Sequence, residues 1–162
     1  MRGQYAPKQE QSSATSGGGA KTVLLVDDTV EDLSAMSEIL QRLGLLVIAY
    51  DNANSALFTI REGVGIDLVI SDLRMQVMDG LDFVEALRRS LPNVPVILLT
   101  GHGDVESYFK AFSLGIFEYL LKPVDKAVLK RVIHAAFEQK LRGQAATGGE
   151  EREAGPAGDV PE

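Results

Sequence analysis

The 162-residue chain contains no cysteine, and this absence excludes disulfides, zinc-thiolate sites and thiol catalysis. Any metal must be held by oxygen ligands or by the two histidines. Positive charge is in deficit. Sixteen Lys and Arg against 23 Asp and Glu leave a formal charge of -7, which disfavours nonspecific binding to nucleic acid or to an anionic membrane. No apolar run approaches the roughly 20 residues of a transmembrane helix. The opening MRGQYAPKQEQSSATSGGGA lacks the apolar stretch of a secretory signal, so a cytoplasmic protein is expected. There is no internal repeat. What is present, 45% hydrophobic and 24% charged residues over the length of one domain, is ordinary for a globular protein.

Residues 1 to 20 have almost no large apolar side chain, and residues 143 to 162 are similar but acidic. Neither segment can bury enough surface to offset the entropy of ordering it, so both are expected to be flexible tails around a folded unit of residues 21 to 142. Within that unit five short apolar runs read as strands: residues 23 to 26, 45 to 49, 67 to 71, 94 to 99 and 118 to 122. Four lack clean period-two alternation, as strands buried on both faces of a parallel sheet do. Between and after them lie five stretches of helical period. Their apolar stripes are Leu33, Met36, Leu40, Leu43; Ala53, Ala56, Leu57, Ile60; Phe83, Val84, Leu87, Leu91; Val105, Tyr108, Phe109, Phe112; and Leu129, Val132, Ile133, Ala136, Phe137. Asn52, Asp104 and Asp125 are placed to cap helices, Gly44, Gly63 and Gly115 to end them, and Pro92 to stop the third. Five βα units predict a doubly wound α/β sandwich with right-handed crossovers.

Ligands of such folds bind beyond the carboxyl ends of the strands, so the residues there carry the functional information. Asp27 and Asp28 follow the first run, Asp72 the third, Thr100 the fourth, and Lys122 with Pro123 the fifth. Three carboxylates suit a divalent ion of the Mg²⁺ type, which takes one or two of them and keeps waters for a phosphate to replace. Asp72 can act as a nucleophile that forms an acyl phosphate, while Lys122 and Thr100 hold the transferred oxygens. Simpler roles stand beside these. Asp28 with Glu31 resembles a capping box, Asp72 suits a turn, as do Asp79 and Gly80, Thr100 suits a turn hydroxyl, and Lys122 a solvated charge. Tyr119 suits plain strand packing. His102 and His134 read as solvated or structural.

The ordered motifs VLLVDD, SDLRMQVMDG, ILLTG and EYLLKPV resemble the receiver domain of two-component response regulators, over residues 21 to 142. The resemblance implies a flavodoxin-like (βα)5 sandwich with a parallel sheet in the order 2-1-3-4-5. It implies Asp72 as phosphoacceptor, and Mg²⁺ held by Asp28 directly, by Asp27 mainly through water, by Asp72 and by the backbone carbonyl of Arg74. Lys122 would pair with the phosphoryl group and precede a cis Pro123, and Thr100 and Tyr119 would form the switch pair. The phosphoryl group would come from a histidine kinase or phosphotransfer protein. A downstream protein would be contacted through the fourth helix, fifth strand and fifth helix, without direct contact to nucleic acid or membrane, and a phosphorylation-dependent homodimer is compatible with the family.

One departure stands out. The loop after the phosphoacceptor reads DxxMPxMDG in the family, and here Gln76 takes the proline position, which removes no reactive group and is expected to alter the loop's rigidity rather than its activity. Arg74 and His102 occupy positions that tune dephosphorylation in the family. The expectation is a signalling module that assists its own phosphorylation and dephosphorylation and is otherwise not an enzyme. Two alternatives remain: the receiver part of a larger transcriptional regulator, to which the stretch TGHGD is similar, and a haloacid-dehalogenase-type phosphatase. The latter family resembles DxDx(T/V) after its first strand, whereas this chain reads DDTVE. A flavin-type cofactor binder fits less well, because the first turn lacks a glycine- or hydroxyl-rich phosphate loop.

Overall fold

The computed structural model describes residues 18 to 147, with side chains described to residue 143. Strands and helices alternate strictly: β1 (Thr22–Val26), α1 (Val30–Arg42), β2 (Leu46–Tyr50), α2 (Ala53–Arg61), β3 (Leu68–Asp72), α3 (Gly80–Leu87), β4 (Val96–Thr100), α4 (Val105–Ser113), β5 (Glu118–Leu121) and α5 (Lys126–Thr147). All pairings are parallel, in the order β2-β1-β3-β4-β5. The three inner strands are apolar on both faces because both faces are covered. Leu24, Val26, Val69 and Leu98 pack with residues of α2 and α3 and with Ala111 of α4. Val23, Leu25, Ile70, Ile97 and Leu99 meet Leu40 of α1 and Leu129, Ile133 and Ala136 of α5. Burial of these side chains is the main stabilising term, at roughly 25 cal/mol per Å² of apolar surface.

Helix boundaries follow local chemistry. Asn52, Asp79 and Asp104 accept hydrogen bonds from the third residue onward at the starts of α2, α3 and α4, and Asp125 accepts from the amides of Ala127 and Val128. Gly44, Gly63 and Gly115 take the positive φ that ends a helix.

Four sequence expectations need correction. Asp28 is not a helix cap: Thr29 occupies that position, and the Asp28 carboxylate turns to another loop. The third helix ends at Leu87, before Leu91 and Pro92, in turns closed by Ser90 N–H and Leu91 N–H on the Leu87 carbonyl. The fifth helix continues to Thr147, past the boundary expected at residue 142, and residues 1–17 and 148–162 of the expected tails lie outside the described residues. The stripe on α4 faces outward: Val105 is 72% and Phe109 67% exposed, and the small residues Ser107 and Ala111 face inward instead.

Candidate functional site

Sheet register places the polar residues. Val26 pairs with Ser71, Ser71 with Leu98 and Leu98 with Tyr119, so one row crosses four strands. Asp27 and Asp72 come immediately after that row, and Thr100 one residue further along β4. Because side chains alternate along a strand, Thr100 and Leu98 point to the same side, and Tyr119, opposite Leu98, shares it.

Asp27 and Asp72 are buried and Asp28 is half-buried, yet each offers one carboxylate oxygen within 4.8 Å of the other two. Lys122 reaches across from the end of β5. Its Nζ donates to Asp27 at 2.9 Å and to Asp32 at 3.0 Å and lies 3.7 Å from Asp72. Asp27 also accepts from the Thr29 N–H at 2.9 Å, which fixes its carboxylate in the turn after β1. Three clustered carboxylates against one ammonium leave an excess of negative charge confined to a small volume. That donor set, all hard oxygen and packed within one coordination sphere, fits a divalent ion of the Mg²⁺ type. The Lys122–Pro123 peptide is cis.

Ionisation reflects this crowding. Burial raises the Asp72 pKa above its ordinary value, with Asp27 adding to the rise and Lys122 opposing it. For Lys122 burial favours the neutral amine, but the hydrogen bonds to Asp27 and Asp32 and the charges of Asp27 and Asp72 outweigh it, and the pKa is raised.

The β3–α3 loop is tied to the loop after β1 at Gln76. Its backbone N–H donates to Asp28 at 3.0 Å, a bond that a proline there would be unable to make. Next to it Val77 has φ +70°, a left-handed conformation costly for a β-branched residue, and is almost fully exposed. At the loop's end the Gly80 N–H donates to the Leu73 carbonyl at 2.8 Å, and the chain passes so close that a side chain at residue 80 would overlap the Asp72 backbone.

On the β4 side the Thr100 hydroxyl is fully buried and donates to the His102 carbonyl at 2.9 Å. Tyr119 is half-buried, with its hydroxyl 3.0 Å from Ser107 Oγ and its ring edge-to-face with Tyr108. Asp104, the cap of α4, pairs with the Arg74 guanidinium at 2.8 Å, so a side-chain bridge joins the loop after Asp72 to the start of α4. Hydrogen bonds from Ser107 and the Arg74 charge hold the Asp104 carboxyl below its ordinary pKa. His102 and His134 are exposed, and His134 stands 3.6 Å from Glu138.

Asp27, Asp28, Asp72, Thr100 and Lys122 thus meet at one edge of the sheet, with Tyr119 on the Thr100 side. Asp32 and Ser107 join them without having been singled out in the sequence, and Asp104, expected only as a helix cap, joins them through Arg74. Asp32 lies on the first turn of α1, and so at the same end of the sheet.

Comparison with known proteins gives the family and the fold. The family described as the response regulator receiver domain matches residues 23–134. The chain is 40% identical over 118 residues to the transcriptional regulatory protein GlrR of Escherichia coli, covering 72% of this chain and 26% of that protein. It is 34% identical over 127 residues to the DNA-binding transcriptional regulator NtrC of Proteus hauseri, covering 76% and 27%. The chain therefore spans about a quarter of the length of these curated relatives. Among solved structures it resembles a receiver domain protein of Clostridium thermocellum, with TM-score 0.71, 31% identity and coverage of 75% of this chain and 98% of that one. A CheY-like receiver domain protein of Methanospirillum hungatei is similar with TM-score 0.74 and 25% identity, covering 77% and 99%.

Proposed function

The chain belongs to the response regulator receiver domain family of two-component systems, and from that premise we propose that it is a phosphorylation-dependent switch whose phosphoacceptor is Asp72. The observation that carries the assignment is the Asp72 carboxylate itself, which sits at the end of β3 with Lys122 Nζ at 3.7 Å and two further carboxylates within 4.8 Å. The Asp72 side chain is 9% exposed, so its charge meets little bulk water.

In the step, Asp72 Oδ attacks phosphorus. The bond from phosphorus to the donor breaks and its electron pair leaves with the donor, an imidazole of a histidine kinase or phosphotransfer protein, or acetate. No proton need leave Asp72, which reacts as the carboxylate. Mg²⁺, held by Asp27, Asp28, Asp72 and the Arg74 carbonyl, would neutralise charge on the transferring oxygens. Lys122 supplies a cation to the same oxygens. Thr100 can bond the phosphoryl group only by releasing the His102 carbonyl, and that release couples the reaction to the β4–α4 loop and to Tyr119 on the same face. The outward stripe of α4, with Val105, Phe109 and Phe112, supports reading of the switch by a downstream protein on the face of α4, β5 and α5. The cycle consumes one phosphoryl group per switch and converts no metabolite. Among the described residues no helix is long and apolar enough to cross a membrane, in keeping with a cytoplasmic role.

A second reading concerns context. The relatives are transcriptional regulators matched over about a quarter of their length, which supports this chain acting as the receiver part of such a regulator.

Incubation with Mg²⁺ and acetyl phosphate, read by intact mass, should add one phosphate to the wild type and none to Asp72→Ala. No adduct on the wild type, or an undiminished one on Asp72→Ala, would sink the assignment.

A further inference from the structure

Lys122 is held by more carboxylate than the proposed reaction uses. Its ammonium lies nearer to both flanking carboxylates, Asp27 at 2.9 Å and Asp32 at 3.0 Å, than to the reacting Asp72 at 3.7 Å. Asp27 belongs to the acidic cluster, whereas Asp32 does not. Asp32 stands on the first turn of α1, half exposed at the mouth of the site, and among the described residues its carboxylate pairs with Lys122.

From this geometry we propose that Asp32 is a positioning residue that holds the Lys122 ammonium at the mouth of the site in the unphosphorylated protein. Transfer to Asp72 then draws Lys122 away from Asp32 and toward the incoming phosphoryl oxygen. The inference rests on Asp72 being the phosphoacceptor. An ammonium has three N–H donors, and two are committed to Asp27 and Asp32 before the donor arrives. A phosphoryl group brings its own negative charge to the same cation. Asp32 competes with it directly, because it already holds at 3.0 Å the Nζ that the phosphoryl group would engage, in a partly desolvated site where charge interactions exceed their strength in water. Lys122 is only 22% exposed, so the exchange occurs where water replaces a lost partner poorly.

The test is the limiting rate of phosphorylation at saturating acetyl phosphate and Mg²⁺, followed by intact mass. Asp32→Asn should raise that rate about two- to fivefold, the range expected for freeing a lysine from a half-exposed ion pair. Asp32→Glu, which keeps a carboxylate within reach, should stay near the wild-type rate. The gain should vanish when Lys122→Met is the background. Simple repulsion of an anionic donor by Asp32 would behave differently: it would change the half-saturating donor concentration, fade with salt and persist in Lys122→Met. A limiting rate that does not rise, or a rise that persists without Lys122, overturns the proposal. Should Lys122→Met react too slowly to follow, beryllofluoride binding with Mg²⁺ reads the same competition at equilibrium. Asp32→Asn should tighten it by a similar factor when Lys122 is present and leave it unchanged when Lys122 is absent. A wild-type chain that takes no phosphate would refute the role of Asp72, whereas a reactive wild type with an unchanged Asp32→Asn would refute only the role of Asp32.

Discussion

Asp72 is disfavoured as a charged group in the position where the proposed reaction would use its charge. Burial and the neighbouring Asp27 push its pKa up, and Lys122 only partly compensates. A carboxyl whose folded pKa is raised favours the fold in its protonated form, an advantage fully present below the unfolded value of 3.8 and lost as pH rises through the folded value. At neutral pH the ionised carboxylate therefore lowers stability. Asp72→Asn imitates the protonated form at every pH, so without Mg²⁺ it should melt roughly 1–5 °C above the wild type at pH 7, a modest gain because the site edge is partly screened by water. The difference should close below pH 3.8, and calorimetry across that range checks both the sign and the window. The residues of the site were legible in the sequence for a simple reason: Asp27, Asp72, Thr100 and Lys122 each end or follow a short apolar run, and the ends of parallel strands converge. Asp32 and Ser107 sit inside helical periods, where a polar residue reads as a solvated face until the partner across the fold is known.

Elements position these side chains through their ends and their close approaches. The start of α3 lies against the last residues of β3 because residue 80 has no side chain. A Cβ there would sit 2.4 Å from the Asp72 carbonyl oxygen and 2.8 Å from the Leu73 Cα, both backbone atoms that no rotamer change can move aside. Gly80→Ala should therefore destabilise the fold by about 1–3 kcal/mol and slow phosphorylation by displacing Asp72. Urea denaturation and the acetyl phosphate assay together measure both effects, and a variant with wild-type stability and rate would show that the contact is not limiting. The α4 helix shows how far sequence pattern reaches. Spacings of three and four residues correctly identify a helix with one apolar face, but they do not say which face meets the sheet. The sheet takes Ser107 and Ala111, small enough for close approach, and the aromatic face is left outward. Asp28 was ambiguous for a related reason. A carboxylate two residues before a helix suits a cap equally well, and only the arrival of the Gln76 amide from a loop 48 residues away decides its direction.

Across the whole molecule the acidic cluster makes stability depend on a ligand. A divalent ion that binds the folded cluster and not the unfolded chain adds stability by mass action, about 2.7 kcal/mol at a hundredfold excess over its dissociation constant. Mg²⁺ should therefore raise the melting temperature by several degrees, EDTA should reverse the rise, and Asp27→Asn or Asp28→Asn should blunt it while keeping the far-ultraviolet circular dichroism of the fold. Unchanged Mg²⁺ affinity in both variants would refute the metal assignment. The five-unit α/β plan was written in the alternation of apolar runs with helical periods, since burial on both faces forces continuous apolar strands and burial on one face forces striped helices. The same local rules located the ends of the strands, and with them the acids, the hydroxyl and the lysine. Tertiary structure alone decided the rest: that Lys122 spans 90 residues to reach Asp32, that Arg74 ties the loop after Asp72 to the cap of α4, and that α4 turns its aromatic face to solvent. Those outcomes depend on distances between elements far apart in the chain, and local period and capping chemistry carry no information about such distances.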